Sequence, residues 1–392
     1  MFKILTLNNI AVEGLRHLPR ERYEVASEIG HPDAILLRSF NMHDYEIPGS
    51  VAAIGRAGAG TNNIPIDRMS KRGVPVFNAP GANANAVKEL VIAGLLIAAR
   101  NLCDAREHVK GLSEKGKALD KAVEAGKKQF VGFELPGKTL GVIGLGAIGV
   151  EVANAALALG MKVIGYDPKI TVRRAWQLSA GVEHAENIEQ LFQHSNAVSC
   201  HVPLIDETRH LVNKDRLALM PDGGVIVNFA RGGVVDEDAV LAALDSGKLR
   251  TFVTDFPSEA SKAHANVVAL PHLGASTAEA EANCAVMVAE NVKDYLENGN
   301  IRFSVNFPES RLPRLEAWRV TIANANVPNM VGQISTCLAN AGLNIEDLLN
   351  KSVGDLAYTI VDVNGEVSDA TMAELRAIDG VLTLRNLGKP VT

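Results

Sequence analysis

Gly144, Gly146 and Gly149 follow the strand-like run Thr139 to Ile143 and open into a helix-compatible stretch, Val150 to Leu159. This spacing suits a phosphate: Gly144 permits a tight turn, Gly146 lets backbone approach a pyrophosphate, and Gly149 allows helix and strand to pack closely. The helix N-terminus adds N–H groups and a positive dipole. Eighteen residues after Gly149 the next strand ends at Asp167, where a carboxylate can accept from both adenosine ribose hydroxyls and would repel a 2′-phosphate. The expected cofactor is NAD rather than NADP; the structural alternative is an aspartate capping the turn at Pro168. Three later segments share one form, a buried strand ending in polar residues: Asn228 to Gly233, Thr254 to Glu259 and Leu270 to Thr277. In a doubly wound sheet such ends line the ligand crevice.

The elements that must position these groups alternate along the chain. Strand-like runs at 4–7, 34–37, 52–55 and 74–77 are separated by polar, helix-compatible stretches, which predicts βαβ units and a parallel sheet. A second series follows at 139–144, 162–166, 197–201, 224–228 and 251–255, with a charged connector over 107–128. After a helix ending near Asn298, the basic, proline-punctuated Arg311 to Arg314 reads as a linker, and the tail then runs β-α-β-(β)-α-β, a small split βαβ module. The fold class is α/β, with two doubly wound parallel-sheet domains, flavodoxin-like and Rossmann, plus a small α+β, ferredoxin-like domain. The expected boundaries are 1–100 with 280–305 for substrate, 101–279 for NAD and 317–392 for the tail.

Asn228 to Glu237, Pro271 to Thr277 and His201 to Leu211 together resemble the D-2-hydroxyacid dehydrogenase family, in its N-x-A-R-G-G-x-V-D-E, P-H-x-G-A-S-T and H-V-P-L-x-x-E-T-x-H-L motifs. The resemblance covers about the first 305 residues. It implies that Arg231 holds the substrate carboxylate and carbonyl, that His272 is the acid–base, that Glu259 pairs with His272, and that Asp255 contacts the nicotinamide carboxamide. It also places Ala147, Ile148, Val202, Pro203, Phe229, Ala230 and Gly274 along the cofactor, with Arg231 and His272. The chemistry agrees: hydride loss from a secondary alcohol leaves a hydroxyl proton that imidazole takes near neutrality, and a neighbouring carboxylate orients the ring. A planar guanidinium can bridge carboxylate and carbonyl oxygens as lysine cannot. One departure is that Glu259 is followed by alanine rather than the family's usual proline, and only 13 residues separate it from His272.

In the first domain the glycine-rich run Ile54 to Asn63 offers backbone N–H groups to a carboxylate, with Ala59 and Gly60 the expected contacts. Arg38 and Arg56 both follow strands of that sheet, and two arginines in one crevice point to a phosphate at the far end of the substrate. Asn78 to Leu90 also resembles the branch of the family that acts on phosphorylated hydroxy acids. An unphosphorylated 2-hydroxy acid, or an NAD-sensing regulatory role, is the alternative. The tail resembles an ACT domain, which implies an amino-acid effector, L-serine, at Asn326 and Asn344; the alternative is a structural dimerisation module. Asparagine supplies both donors and acceptors to an amino acid's charged ends. Asn324 and Asn329 replace the histidine and glycine frequent in that module.

Composition narrows the partners. Of 392 residues, 47% are hydrophobic and 21% charged, and the net charge of −6 gives no basic field for nucleic acid. The apolar runs are too short to span a bilayer. The four cysteines form no C-x-x-C, so neither a metal site nor a disulfide framework is signalled, and a cytoplasmic setting is expected. A homodimer or homotetramer is the expected assembly.

Overall fold

A computed structural model describes residues 1–390, and among them the chain forms two compact units, 1–82 with 278–390, and 83–277. In the first unit, strands β1 (Phe2–Leu7), β2 (Tyr23–Ala26), β3 (Ala34–Leu37), β4 (Ala53–Arg56) and β5 (Val76–Phe77) build a parallel sheet in the order β2-β1-β3-β4-β5. This is the flavodoxin-like order, with its switch point between β1 and β3. Fully buried Ile35, Leu36 and Leu37 make β3 apolar on both faces, as a strand covered on both sides requires.

The second unit carries β6 (Thr139–Ile143), β7 (Lys162–Tyr166), β8 (Val182–His184), β9 (Ala197–Cys200), β10 (Gly224–Asn228), β11 (Leu249–Thr254) and β12 (Val267–Ala269). All are parallel, in the order β12-β11-β10-β9-β6-β7-β8. The order reverses between β6 and β9, and the two strand ends there are the glycine turn and His201.

The helix Ala84–Arg100 corrects the expected boundary at residue 100. Val87, Val91, Leu95 and Ala98, spaced to share one helical face, are buried in the core of the second unit with Phe229 and Val253. Burying each of the large residues is worth about 1.5–3 kcal/mol, so the helix belongs with the sheet it covers. It stops at Asn101, whose φ of 50° is the left-handed conformation of a helix C-terminus. The charged connector forms two mainly exposed helices, Leu102–Gly111 and Lys117–Gly126.

The tail forms an antiparallel sheet of β13 (Trp318–Ala325), β14 (Ile345–Val353), β15 (Leu356–Val363) and β16 (Val381–Gly388), ordered β14-β15-β13-β16. Strand alternation divides its side chains. Val320, Ile322, Val361 and Val363 pack with the helices Met330–Asn340 and Asp369–Ala377, whereas Ala323, Tyr358 and Ile360 join the core of the first sheet. The predicted linker is therefore bound structure. Leu312 is buried, and Arg314 donates to the carbonyls of Leu387 (3.3 Å) and Gly388 (2.7 Å).

The module also supplies what the helix Ala278–Asn298 lacks. That helix has no basic residue in its last turn. Arg385 donates to the carbonyls of Tyr295 and Leu296, each at 2.8 Å, Arg319 to Asn298 at 3.1 Å, and the Tyr358 hydroxyl to Gly299 at 2.8 Å. The carbonyls left open at a helix C-terminus are thus taken by cationic and hydroxyl donors from another part of the chain.

Candidate active site

In the second unit every predicted site residue falls at the carboxyl edge of the parallel sheet. After β6, Gly144 has a φ of 88° and its N–H donates to Tyr166 O (2.9 Å). A Cβ on Gly149 would stand 1.9 Å from Gly144 O, so the helix Ala147–Ala158 starts this close to the strand only with glycine there. Around Gly146, by contrast, no atom beyond its immediate chain neighbours lies within 4 Å of where a Cβ would be, which leaves open space at the start of this helix. Asp167, after β7, accepts from the N–H groups of Leu145 (2.8 Å) and Lys169 (2.9 Å), which ties the acid to the glycine turn. An open glycine at a helix N-terminus beside a strand-end acid fits a dinucleotide; the same donors show that Asp167 also holds its own turn.

His201 follows β9 and shares a 2.8 Å hydrogen bond with Ser199 Oγ. Burial pushes its imidazole down to about 3, so it is neutral at physiological pH. Val202 and Pro203 come next on this strand end. At the end of β10, Asn228 is 1% exposed; its Oδ1 accepts from Ala230 N (3.1 Å) and its Nδ2 donates to Arg231 O (2.9 Å). Asn228 therefore sets the turn through Phe229 and Ala230 that presents Arg231. Sequence reasoning counted it in a motif and missed this positioning role, although its place at the end of an apolar strand was the available signal. Arg231 donates to Ala230 O (2.7 Å), and Asp236 caps the next helix.

Asp255 follows β11 and is 3% exposed, with no hydrogen bond of good geometry to either carboxylate oxygen. Burial raises its carboxyl, opposed first by the charge of His272 and then by the nearby amides of Gly274 and Leu273. His272 lies in the exposed loop after β12, its ring centroid 4.6 Å from that of Phe256. Glu259 does not join it. This residue sits exposed in the first turn of the short helix Glu259–Ala263 and makes no hydrogen bond or ion pair with His272. The reason is local: Ser258 and Ser261 cap that helix reciprocally, and Ser258 Oγ donates to Glu237 (3.0 Å), which pins the turn.

In the first unit the structure brings Arg38 and Arg56 together. Arg56 Nε donates to Arg38 O (3.1 Å), and the Arg38 guanidinium pairs with Glu281 at 2.5 Å, a partner the sequence did not reveal. A Cβ on Gly58 would stand 2.1 Å from Arg56 Nη1, so the guanidinium can lie across the loop because residue 58 is glycine. Asn78 donates to Ala59 O (2.6 Å), which fixes the loop that also carries Gly60.

Asn326 and Asn344 are not brought together. Asn326 follows β13 and bonds Gly354 O (3.0 Å), whereas Asn344 precedes the far end of β14 and bonds Asn364 Oδ1 through its N–H (3.0 Å). The register pairs Ala325 with Leu356 and Ile345 with Val363, at opposite ends of β15. Asn329 adopts a φ of 64°, which explains why glycine also suits that position. Among the described residues no group of three or more His, Cys, Asp or Glu is arranged to hold a metal, and no helix is long and apolar enough to cross a membrane.

Residues 92–274 match the family model described as D-isomer specific 2-hydroxyacid dehydrogenase, NAD binding domain. A D-3-phosphoglycerate dehydrogenase of Methanocaldococcus jannaschii is 34% identical over 381 residues, covering 93% of this chain and 69% of that protein. A hydroxypyruvate reductase of Thermotoga maritima is 38% identical over 284 residues, covering 69% and 87%. Among solved structures, an NAD+-bound 3-phosphoglycerate dehydrogenase of Entamoeba histolytica superposes with a TM-score of 0.58 at 27% identity, covering 78% of this chain and 98% of that one. With the glycine turn, the strand-end acid and the polar strand ends on one sheet edge, these matches make the chain an NAD-binding dehydrogenase of the D-isomer-specific 2-hydroxyacid dehydrogenase family.

Proposed function

We propose that the chain oxidises 3-phospho-D-glycerate to 3-phosphohydroxypyruvate with NAD+, the entry step to L-serine. The observation that supports the phosphorylated substrate is the pair of arginines at the neighbouring ends of β3 and β4, Arg38 and Arg56, joined by the bond from Arg56 Nε to the Arg38 carbonyl, since guanidinium groups suit a phosphate. The name of the Methanocaldococcus jannaschii relative supports it. Arg231 holds the substrate carboxylate and carbonyl oxygen, and His272 takes the hydroxyl proton. Gly144, Gly146, Gly149 and Asp167 hold the adenosine and pyrophosphate, while Asp255 and Gly274 serve the nicotinamide end. When bound, NAD+ supplies the hydride acceptor. Ala59 and Gly60 offer N–H groups to the substrate carboxylate. L-serine is the effector proposed for Asn326 and Asn344; since these stand at opposite ends of one sheet, one serine would meet both only if two copies each contributed one. The cytoplasm is the proposed setting.

The test is NADH formation from 3-phospho-D-glycerate at alkaline pH with a trap for the keto product, beside D-glycerate, with and without L-serine. Phosphate-dependent turnover is expected, with the Michaelis constant for the phosphorylated acid rising in Arg38→Ala and Arg56→Ala. Equal use of both acids would move the chain to the second reading, a hydroxypyruvate reductase, which the 38% identity to the Thermotoga maritima protein favours.

A further inference from the structure

We propose that Glu281 sets the strength of the phosphate grip at Arg38: its carboxylate competes with the substrate phosphate for that guanidinium and so tunes the preference for phosphorylated over unphosphorylated hydroxy acids. The inference rests on the reading of Arg38 and Arg56 as the phosphate site. Glu281 lies in the first turn of the helix Ala278–Asn298, where the helix dipole favours a negative charge. From there Glu281 Oε1 reaches Arg38 Nη1 at 2.5 Å, with the two side chains 42% and 35% exposed. The Arg38 backbone is fixed separately, because its carbonyl accepts from Arg56 Nε (3.1 Å) and from Asn63 Nδ2 (3.2 Å). The arginine is thus carried by its own strand end, and Glu281 engages its charged group.

The neighbouring charges set what a ligand would meet. Burial raises the thiol of Cys284, which follows Glu281 by one turn of the same helix, while the charges of Arg56 and then Arg38 draw it down and that of Glu281 raises it further. Two cations and one anion therefore share this neighbourhood, with one positive charge in excess. A phosphate monoester near neutral pH carries about −1.5 to −2, which is more than that excess. A phosphate on Arg38 also shares one guanidinium with the Glu281 carboxylate, and like charges so close oppose each other. An unphosphorylated acid brings no charge to this end of the site and does not meet that opposition. In the substrate-free chain the same carboxylate offsets part of the positive charge that two arginines bring to adjacent strand ends.

The experiment compares the reduction of 3-phosphohydroxypyruvate and of hydroxypyruvate by NADH in the unmodified protein, in Glu281→Gln and in Arg38→Ala. Glutamine keeps the length of the side chain and an acceptor for Arg38 while removing the charge. Because a dianion and a unit charge several ångströms apart repel even in water, Glu281→Gln is expected to lower the Michaelis constant for 3-phosphohydroxypyruvate about 3- to 10-fold and to leave that for hydroxypyruvate within about twofold. An unchanged or raised constant for the phosphorylated acid overturns the proposal. So does an equal fall for both acids, which would report a general effect of net charge. Arg38→Ala separates this inference from the reading beneath it. If that variant raises the constant for 3-phosphohydroxypyruvate while Glu281→Gln does not lower it, the phosphate site stands and the role of Glu281 falls. If it leaves both constants in place, Arg38 holds no phosphate and the proposal falls with that reading.

Discussion

Asp255 in the dinucleotide unit and Asp362 in the C-terminal module are the same residue type, 3% and 1% exposed, and they are treated in opposite ways. Both oxygens of Asp362 are taken by Arg319, Nε to Oδ1 and Nη2 to Oδ2 at 2.7 Å each. The remaining guanidinium donors go to the carbonyls of Asn298, Leu312 and Pro313. Asp255 has no such partner. A charge closed on every side is fixed and does structural work, joining the module to the helix Ala278–Asn298. A buried carboxylate with free acceptor capacity is carried at a cost in stability.

The largest test of this contrast is Arg319→Ala, which leaves Asp362 buried and unpaired and should cost about 3–5 kcal/mol, read by chemical denaturation. The paired change Arg319→Met with Asp362→Leu should recover much of that loss, since an apolar replacement of a buried ion pair is often near neutral; no recovery would mean that the carbonyl contacts carry the junction. His272→Ala comes next in consequence, with turnover falling about 10²–10⁴-fold and NAD affinity nearly kept. Equal loss of both would contradict its role.

Asp255→Asn should instead stabilise the substrate-free protein at neutral pH. Burial raises the folded carboxyl above its unfolded value, so the native protein loses stability as pH rises from the unfolded value through the folded one. The variant, with nothing to ionise, escapes that loss, and melting curves of the two should converge at lower pH. The smallest effect is expected of Glu259→Gln, within about 0.5 kcal/mol, because an exposed carboxylate in a helix first turn has little to lose.

How far the sequence could be read follows from how local each signal was. The glycine turn, Asp167 and the polar strand ends were legible because each requirement sits within a few residues of a buried strand. Strands β2, β8 and β12 were not, being short edge or near-edge strands of three or four residues, whose pairing is set by neighbours rather than by their own alternation. Arg311 to Arg314 read as a linker because proline and basic residues look solvated in sequence, yet the Leu312 and Pro313 carbonyls are among the acceptors of the buried Arg319. The helix Ala84–Arg100 fell on the far side of the expected boundary at residue 100, since an apolar face does not name the surface it will meet.

The sequence by itself determined the parallel-sheet plan, the dinucleotide turn, and the histidine and arginine that suit a 2-hydroxy acid, because backbone sterics and residue chemistry act at short range. Only the tertiary structure decided that Glu259 is held away from His272 while Asp255 is buried beside its loop, that Glu281 engages Arg38, and that the C-terminal module completes the end of the helix Ala278–Asn298. These depend on contacts between residues far apart in the chain, where burial and competing hydrogen-bond partners, not residue identity, select which charges meet.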